Sequence, residues 1–183
     1  NLRRLPLPSR QNLFVVNNRT PIIYSTIMTQ SLSIQEYYAP EFSHCWGCGQ
    51  AHPSGLHLRS YMAPDGASAT CTTTPPDIYT GGVPSNLYGG FIAMLFDCHG
   101  TASAAGFYLA AHHIPLNHET LERFVTAHLE VDYLRPTPMN CALKVVARPL
   151  EVTDRKAILE MELWAGEVKT ATAKMVAVRF VKK

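Results

Sequence analysis

Hydrophobic and polar positions divide the chain into three regions with different periods. From Val125 the pattern alternates strictly, with Val125, Ala127, Leu129, Val131 and Tyr133 on one face and Thr126, His128, Glu130 and Asp132 on the other. That is the period of a half-buried strand. Arg135-Pro136-Thr137-Pro138 ends it, and residues 142–152 predict the next strand. After the turn Thr153-Asp154-Arg155, Ala157, Leu159, Met161 and Leu163 alternate with Glu160, Glu162 and Trp164. Gly166-Glu167 predicts a further turn and residues 168–181 a last long strand. Before this run lies Leu87–Ala111, apolar nearly all round and long enough for a buried helix, with Ser85 or Asn86 as its cap. Ahead of the helix, Leu56, Leu58 and Tyr61 open a strand, Pro64-Asp65-Gly66 is a turn, and the Thr- and Ala-rich residues 67–74 complete a hairpin. Residues 31–44 read as a short helix or coil leading in. Two strands, one helix apolar on every side and an antiparallel meander predict an α+β domain, a curved antiparallel sheet wrapping one long buried helix. One sheet covers only part of such a helix, so a second copy of the chain is expected to complete its burial.

Composition narrows the partners. The 183 residues suit one domain, with 16% charged residues and a net charge of +2. Lys and Arg are scattered apart from Arg3-Arg4 and Lys182-Lys183, which argues against a nucleic-acid surface. No run approaches the roughly 20 apolar residues of a membrane span. An odd count of five cysteines, Cys45, Cys48, Cys71, Cys98 and Cys141, does not read as a disulfide framework and points to a reducing, cytoplasmic compartment. Residues 1–27 carry Arg3, Arg4, Arg10 and Arg19, no acidic residue and no sustained period. They are expected to be a poorly structured N-terminal extension, with an organelle transit peptide as the other reading, and residues 28–183 the folded domain.

Within the apolar helix Asp97 is the only acidic residue between Ile78 and His118. An unpaired carboxylate is costly to bury, so such a group is either satisfied structurally or serves as a base. Gly89-Gly90 stands at the predicted helix start, where backbone N–H groups lack partners and favour negative charge. Seven residues is about two turns, which places Gly90 and Asp97 on one side of the helix. Cys98-His99 next to Asp97 forms no nucleophilic triad, because successive helical residues point about 100° apart. Cys45-x-x-Cys48, flanked by His44 and His52, has the spacing of half a zinc site but no second ligand pair in sequence. No bound metal is therefore expected. A redox Cys-x-x-Cys normally opens a helix, and the glycines beside this one oppose that. His112, His113 and His118 read as a solvated connector.

Three stretches resemble the PaaI-like hotdog-fold acyl-CoA thioesterases. Cys45-Trp46-Gly47-Cys48-Gly49 followed by His52-Pro53-Ser54-Gly55-Leu56 looks like the family's Cys-x-Gly-Cys-Gly…Asn-Pro-x-Gly-Leu lead-in. Gly82 to Asp97 is similar to the Pro-Gly-x-x-His-Gly-Gly-x-x-x-x-x-x-Asp segment that opens the hotdog helix, with Tyr88 where the family has His and Ser85 where it has Gly. Thr126 to Pro136 resembles the strand Thr-Ala-x-Leu-x-Val-x-Tyr-x-x-Pro. The resemblance implies hydrolysis of an acyl-CoA thioester by a homodimer or homotetramer without a cofactor, the two halves of each site coming from different subunits. It matches Asp97 to the catalytic carboxylate, Gly90 to the N–H that polarises the carbonyl and Thr126 to a hydroxyl orienting the nucleophilic water. Asn86, Tyr88 and Gly89 are expected to contact substrate. The rival reading is an acyl-CoA binder that does not turn over, favoured by Tyr88. A hotdog dehydratase lacks its paired Asp/His signature here.

Overall fold

The computed structural model describes residues 32–181, and the expectation for residues 1–27 lies outside them. Two short 3-10 turns, Ile34–Tyr37 and Pro40–Phe42, lead in. The hairpin β1 (Ser60–Met62) and β2 (Ala69–Thr73) precedes the helix α1 (Gly89–Ala111). The meander follows as β3 (Phe124–Tyr133), β4 (Leu143–Val152), β5 (Lys156–Ala165) and β6 (Val168–Arg179). The six strands form one antiparallel sheet in the order β1-β2-β4-β5-β6-β3. The chain therefore leaves β3 at one edge and crosses to the middle of the sheet before returning. One long helix lies against this curved sheet, which is the hotdog arrangement.

In the regular parts of β4, β5 and β6, alternate residues face α1. Leu143, Val145 and Ala147 of β4, Ala157, Leu159, Met161 and Leu163 of β5, and Ala171, Met175 and Ala177 of β6 are buried to 1% exposure or less. From Cys98 to Leu109 every helical residue is buried. The sheet covers one side. The other side is closed by the lead-in of the same chain, where Ile34 is fully buried and its Cδ1 lies 3.3 Å from where a Cβ on Gly106 would stand. The chain thus wraps most of the helix itself, which corrects the expectation that a second copy is needed for that burial. What stays partly open is the first two turns of α1 and the edge strand β3.

The core also holds a polar network. Gln35 Nε2 donates to Ser60 Oγ at 2.9 Å and Gln35 Oε1 accepts from Ser60 N at 2.7 Å. Ser60 Oγ lies 2.9 Å from His99 Nδ1, and His99 Nε2 lies 3.3 Å from the Ala69 carbonyl. A carbonyl only accepts, so Nε2 carries the proton and Nδ1 accepts from Ser60. Burial holds His99 down to about 4, neutral and structural. At the other end of α1, His112 is exposed, as a solvated connector predicts, but it is bonded at both ring nitrogens. Its Nδ1 donates to the Tyr108 carbonyl at 2.8 Å and its Nε2 to Asp154 at 2.9 Å. These two bonds, the first above all, raise its pKa and tie the helix terminus to the turn between β4 and β5.

Candidate active site

The start of α1 is fixed by the loop before it. Leu87 N donates to the Thr137 carbonyl and Met139 N to the Ser85 carbonyl, at 2.8 and 2.9 Å. Asn86 forms an isolated bridge with Pro138, and Gly81 N donates to its carbonyl at 2.7 Å. These bonds stitch residues 81–88 to the segment after β3, so the helix begins beside the end of that strand. Tyr133, at the end of β3, completes the link by donating its hydroxyl to the Gly89 carbonyl at 2.9 Å. Tyr88 caps the helix through its backbone: its carbonyl accepts from Phe91 N at 3.0 Å. The Tyr88 ring is 56% exposed and folds over Gly90, whose Cβ, if present, would stand 2.4 Å from it. A side chain at residue 90 would have to push the exposed Tyr88 ring aside. Phe91 N and Ile92 N reach the Tyr88 carbonyl, whereas the Gly89 and Gly90 N–H groups precede the first helical bond, at the positive end of the helix dipole.

Two turns further on, Asp97 turns toward β3. Thr126 donates its hydroxyl to Asp97 Oδ1 at 2.5 Å. Asp97 is half-buried and has this partner, so it does not bear the cost of an unpaired, fully buried carboxylate. How Thr126 comes to face the helix is a correction to the strand reading. Alternation alone puts Thr126 and Leu129 on opposite faces. In the sheet, Thr126 pairs with Ala177 and His128 with Val176, so Ala127 is an extra residue, a β-bulge. The bulge slips the phase by one. Thr126 shares its face with Ala177, while Leu129, Val131 and Tyr133 share theirs with Met175, Ala173 and Ala171, all on the helix side. Without it Thr126 would point away from Asp97. Bulges commonly re-aim a side chain beside a functional site.

The structure brings Asp97 and Thr126 together, and Tyr88, Gly89 and Gly90 together. It does not bring the two groups together within one chain. Seven helical residues span about 10 Å along the axis. Tyr133, read from sequence only as a strand residue, is the added member, and its place at the end of the strand matching the third motif was the available signal. His99 bonds on the sheet side with Ser60 and Ala69, so the three adjacent residues Asp97, Cys98 and His99 form no triad.

The Cys45-x-x-Cys48 pair has company that its sequence neighbourhood does not show. Cys98, on α1, brings its sulfur to the pair, and the three Sγ atoms lie within 4.8 Å of one another. No second ligand pair joins Cys45 and Cys48 among the described residues, but Cys98, isolated in sequence, is a third sulfur at the pair. Hydrogen bonds from the Cys48 and Cys98 thiols lower the Cys45 pKa, helped by the backbone N–H groups of Cys48 and Gly47. The bond to Cys45 is also the chief cause that pushes Cys48 up to about 12 and Cys98 up as well.

The family model of the thioesterase superfamily matches residues 85–172, from the loop before α1 into β6. A thioesterase superfamily protein from Shewanella loihica is 34% identical, with a TM-score of 0.58, over 79% of this chain and 100% of that one. The Escherichia coli PaaI protein of the phenylacetic acid degradation operon shares the fold at 16% identity and a TM-score of 0.58, over 82% of this chain and 97% of its own. A Streptococcus mutans protein bound to acetyl CoA does so at 14% and 0.54, over 69% and 89%. No curated protein matches the sequence significantly. Among the described residues no helix is long and apolar enough to cross a membrane.

Proposed function

The chain belongs to the thioesterase superfamily, and we propose that it hydrolyses an acyl-CoA thioester to the free acid and CoA. The observation that carries this reading is the half-exposed Asp97 carboxylate held by the bulge-aimed hydroxyl of Thr126. Asp97 takes a proton from a water that Thr126 helps to orient, and the hydroxide adds to the thioester carbonyl. Direct attack by the carboxylate, followed by hydrolysis of the anhydride, uses the same residue. The negative charge that develops on the carbonyl oxygen is met by the Gly90 N–H at the start of α1. Collapse of the tetrahedral adduct breaks the C–S bond and releases CoA thiolate.

One chain does not bring both halves to one carbonyl, since about 10 Å of helix separates Gly90 from Asp97. The site is completed by a second copy. Thr126, Ala127 and His128 are exposed along the edge strand β3, and Val83, Tyr88, Tyr133 and Leu134 are exposed apolar residues at the neighbouring helix start. An open strand edge with apolar surroundings is a natural pairing surface. The acyl chain runs along the helix between the copies, and the CoA phosphates meet Arg and Lys at the rim. Asn86, Tyr88 and Gly89 contact substrate.

The Tyr88 ring against Gly90 favours a second reading, an acyl-CoA binder without turnover. Release of free CoA thiol from a panel of acyl-CoAs separates the two. Turnover by the parent, with acyl-CoA binding kept and at least about a 100-fold loss of rate in Asp97→Asn, is expected, since general-base roles carry about 100- to 10,000-fold. No turnover by the parent across the panel, with tight binding, establishes the binder instead. A folded Asp97→Asn protein with near-parent rate refutes Asp97 as the base.

A further inference from the structure

The proposed reaction leaves three thiols unused. Cys45 Sγ lies 3.7 Å from Cys98 Sγ, and Cys48 Sγ completes a triangle with no side above 4.8 Å. None of the three is in a disulfide. Cys48 and Cys98 are buried, while Cys45 is half-buried at the rim and gives the cluster an approach from solvent.

The surrounding loop is built to hold this arrangement. Gly49 N donates to the Cys45 carbonyl at 2.7 Å, Leu56 N to the Trp46 carbonyl at 2.9 Å and Leu58 N to the Gly47 carbonyl at 2.9 Å. The turn thus closes on itself and is clamped by the strand-like segment behind it. The N–H groups of Gly47 and Cys48 point at the Cys45 sulfur, an arrangement that favours its thiolate. Gly47 is required at its place, because a Cβ there would stand 2.5 Å from Cys98 Sγ and 2.7 Å from Met94 Sδ. Met94 and Cys98 are four residues apart on α1 and so share one face, turned to the loop. Arg123, whose guanidinium lies 5.0 Å from the centre of the Tyr38 ring, adds positive charge near Cys48. Tyr38's own hydroxyl is buried near Cys48.

We propose that Cys45, Cys48 and Cys98 bind one thiophilic metal ion, Zn(II) or Cu(I). The donors are all sulfur, the ligand type that selects these ions over hard cations. Sulfurs bound at about 2.3 Å to a tetrahedral or trigonal centre stand about 3.8 to 4 Å apart, and the Cys45–Cys98 spacing of 3.7 Å is just short of that range. Three thiolates complete a trigonal Cu(I) site. Zn(II) takes a fourth donor, either the Met94 thioether or a ligand from solvent through the Cys45 side. The metal clasps the lead-in loop to the helix. It is separate from the hydrolytic carboxylate: Asp97, one residue away, points about 100° around the helix toward β3.

The test uses the full chain, reduced and handled without oxygen. Zn(II) and Cu(I) are titrated in separate arms against competing chelators, and Co(II) serves as a spectroscopic stand-in. One equivalent per chain is expected for at least one of the two ions, with a sulfur-to-metal charge-transfer band for Co(II). Cys45→Ser and Cys98→Ala should each weaken binding by at least about tenfold, the lower end of what loss of even a partner behind a metal ligand costs. Cys71→Ala and Cys141→Ser, outside the cluster, should bind as the parent does. Cys45 is half-buried and its serine variant keeps the shape, so that variant decides the matter if Cys98→Ala does not fold. Failure of the reduced protein to take up either ion overturns the proposal. So does unchanged affinity in Cys45→Ser, or isolation as a Cys45–Cys98 disulfide that takes up no metal after reduction.

Discussion

Replacing Thr126 by Val is the most discriminating change at the candidate site. Val keeps the branched shape that suits a strand and removes only the hydroxyl. The loss is one hydrogen bond, from Thr126 Oγ1 to the Asp97 carboxylate. Bonds to a charged group contribute about 1.5–3 kcal/mol when shielded from water. Thr126 is exposed in the single chain, so the ground-state value falls at or below the lower end, and stability should change little. Catalysis samples the covered state. If the hydroxyl orients the attacking water there, the upper end applies, and each 1.36 kcal/mol is about tenfold in rate. The expected result is a drop in kcat of about 10- to 100-fold, with the melting temperature within a few degrees of the parent and most of the rate kept by Thr126→Ser. Initial rates of CoA release, normalised to folded protein, read this out. Parent-like kcat in Thr126→Val refutes the role given to the hydroxyl. An equal loss in Thr126→Ser assigns the effect to packing instead.

Two further changes test the fold that positions the site. Ser60→Ala leaves the buried Gln35 amide and His99 Nδ1 without their shared partner, so unfolding should become easier by about 1–3 kcal/mol with turnover per folded chain unchanged; denaturant melts that coincide with the parent's would contradict the network. Gly49→Ala sets a Cβ 2.3 Å from the Ser43 carbonyl and 2.5 Å from Cys45 N, backbone atoms that cannot step aside, and should cost about 1–3 kcal/mol or more. A melting temperature unchanged by that substitution would show that the loop is not clamped as described.

The elements were legible because their signals are local. The alternation of β5 places Leu159, Met161 and Leu163 inward and Glu160 outward, as found. The helix, apolar on every side, announced complete burial, and it begins two residues from its predicted start. What was not legible depends on distant parts of the chain. The Ala127 bulge carries no glycine or other local mark, so a uniform period across Val125–Tyr133 gives Thr126 the wrong face. The lead-in shows no long period of its own, which conceals that Ile34 closes the open side of the helix. Cys98 looks isolated because its partners lie about 50 positions away, across a contact that only the closed fold makes. Asp97 stood out by its solitude in sequence, but the partner that turns it into a site comes from another element.

The proposal that Gly90 and Asp97 act together only across two copies leads to a prediction that neither single variant tests. Asp97→Asn removes the base. Gly90→Val places a branched side chain where the carbonyl oxygen must approach and where the Tyr88 ring now rests, 2.4 Å from the first added carbon. Each homodimer should be nearly inactive. In a mixed dimer one site carries both lesions, while the other joins Asp97 of the valine chain to Gly90 of the asparagine chain and is intact. Unfolding and refolding an equal mixture makes half of the dimers mixed, with half of their sites intact, so activity should return to roughly a quarter of the parent's per chain. Sedimentation must show a dimer or larger assembly in all samples. If each chain instead builds its own site, every site in the mixture carries one lesion and no activity returns. A stable, active parent monomer would remove the composite site altogether, because a straight helix holds its own Gly90 and Asp97 about 10 Å apart.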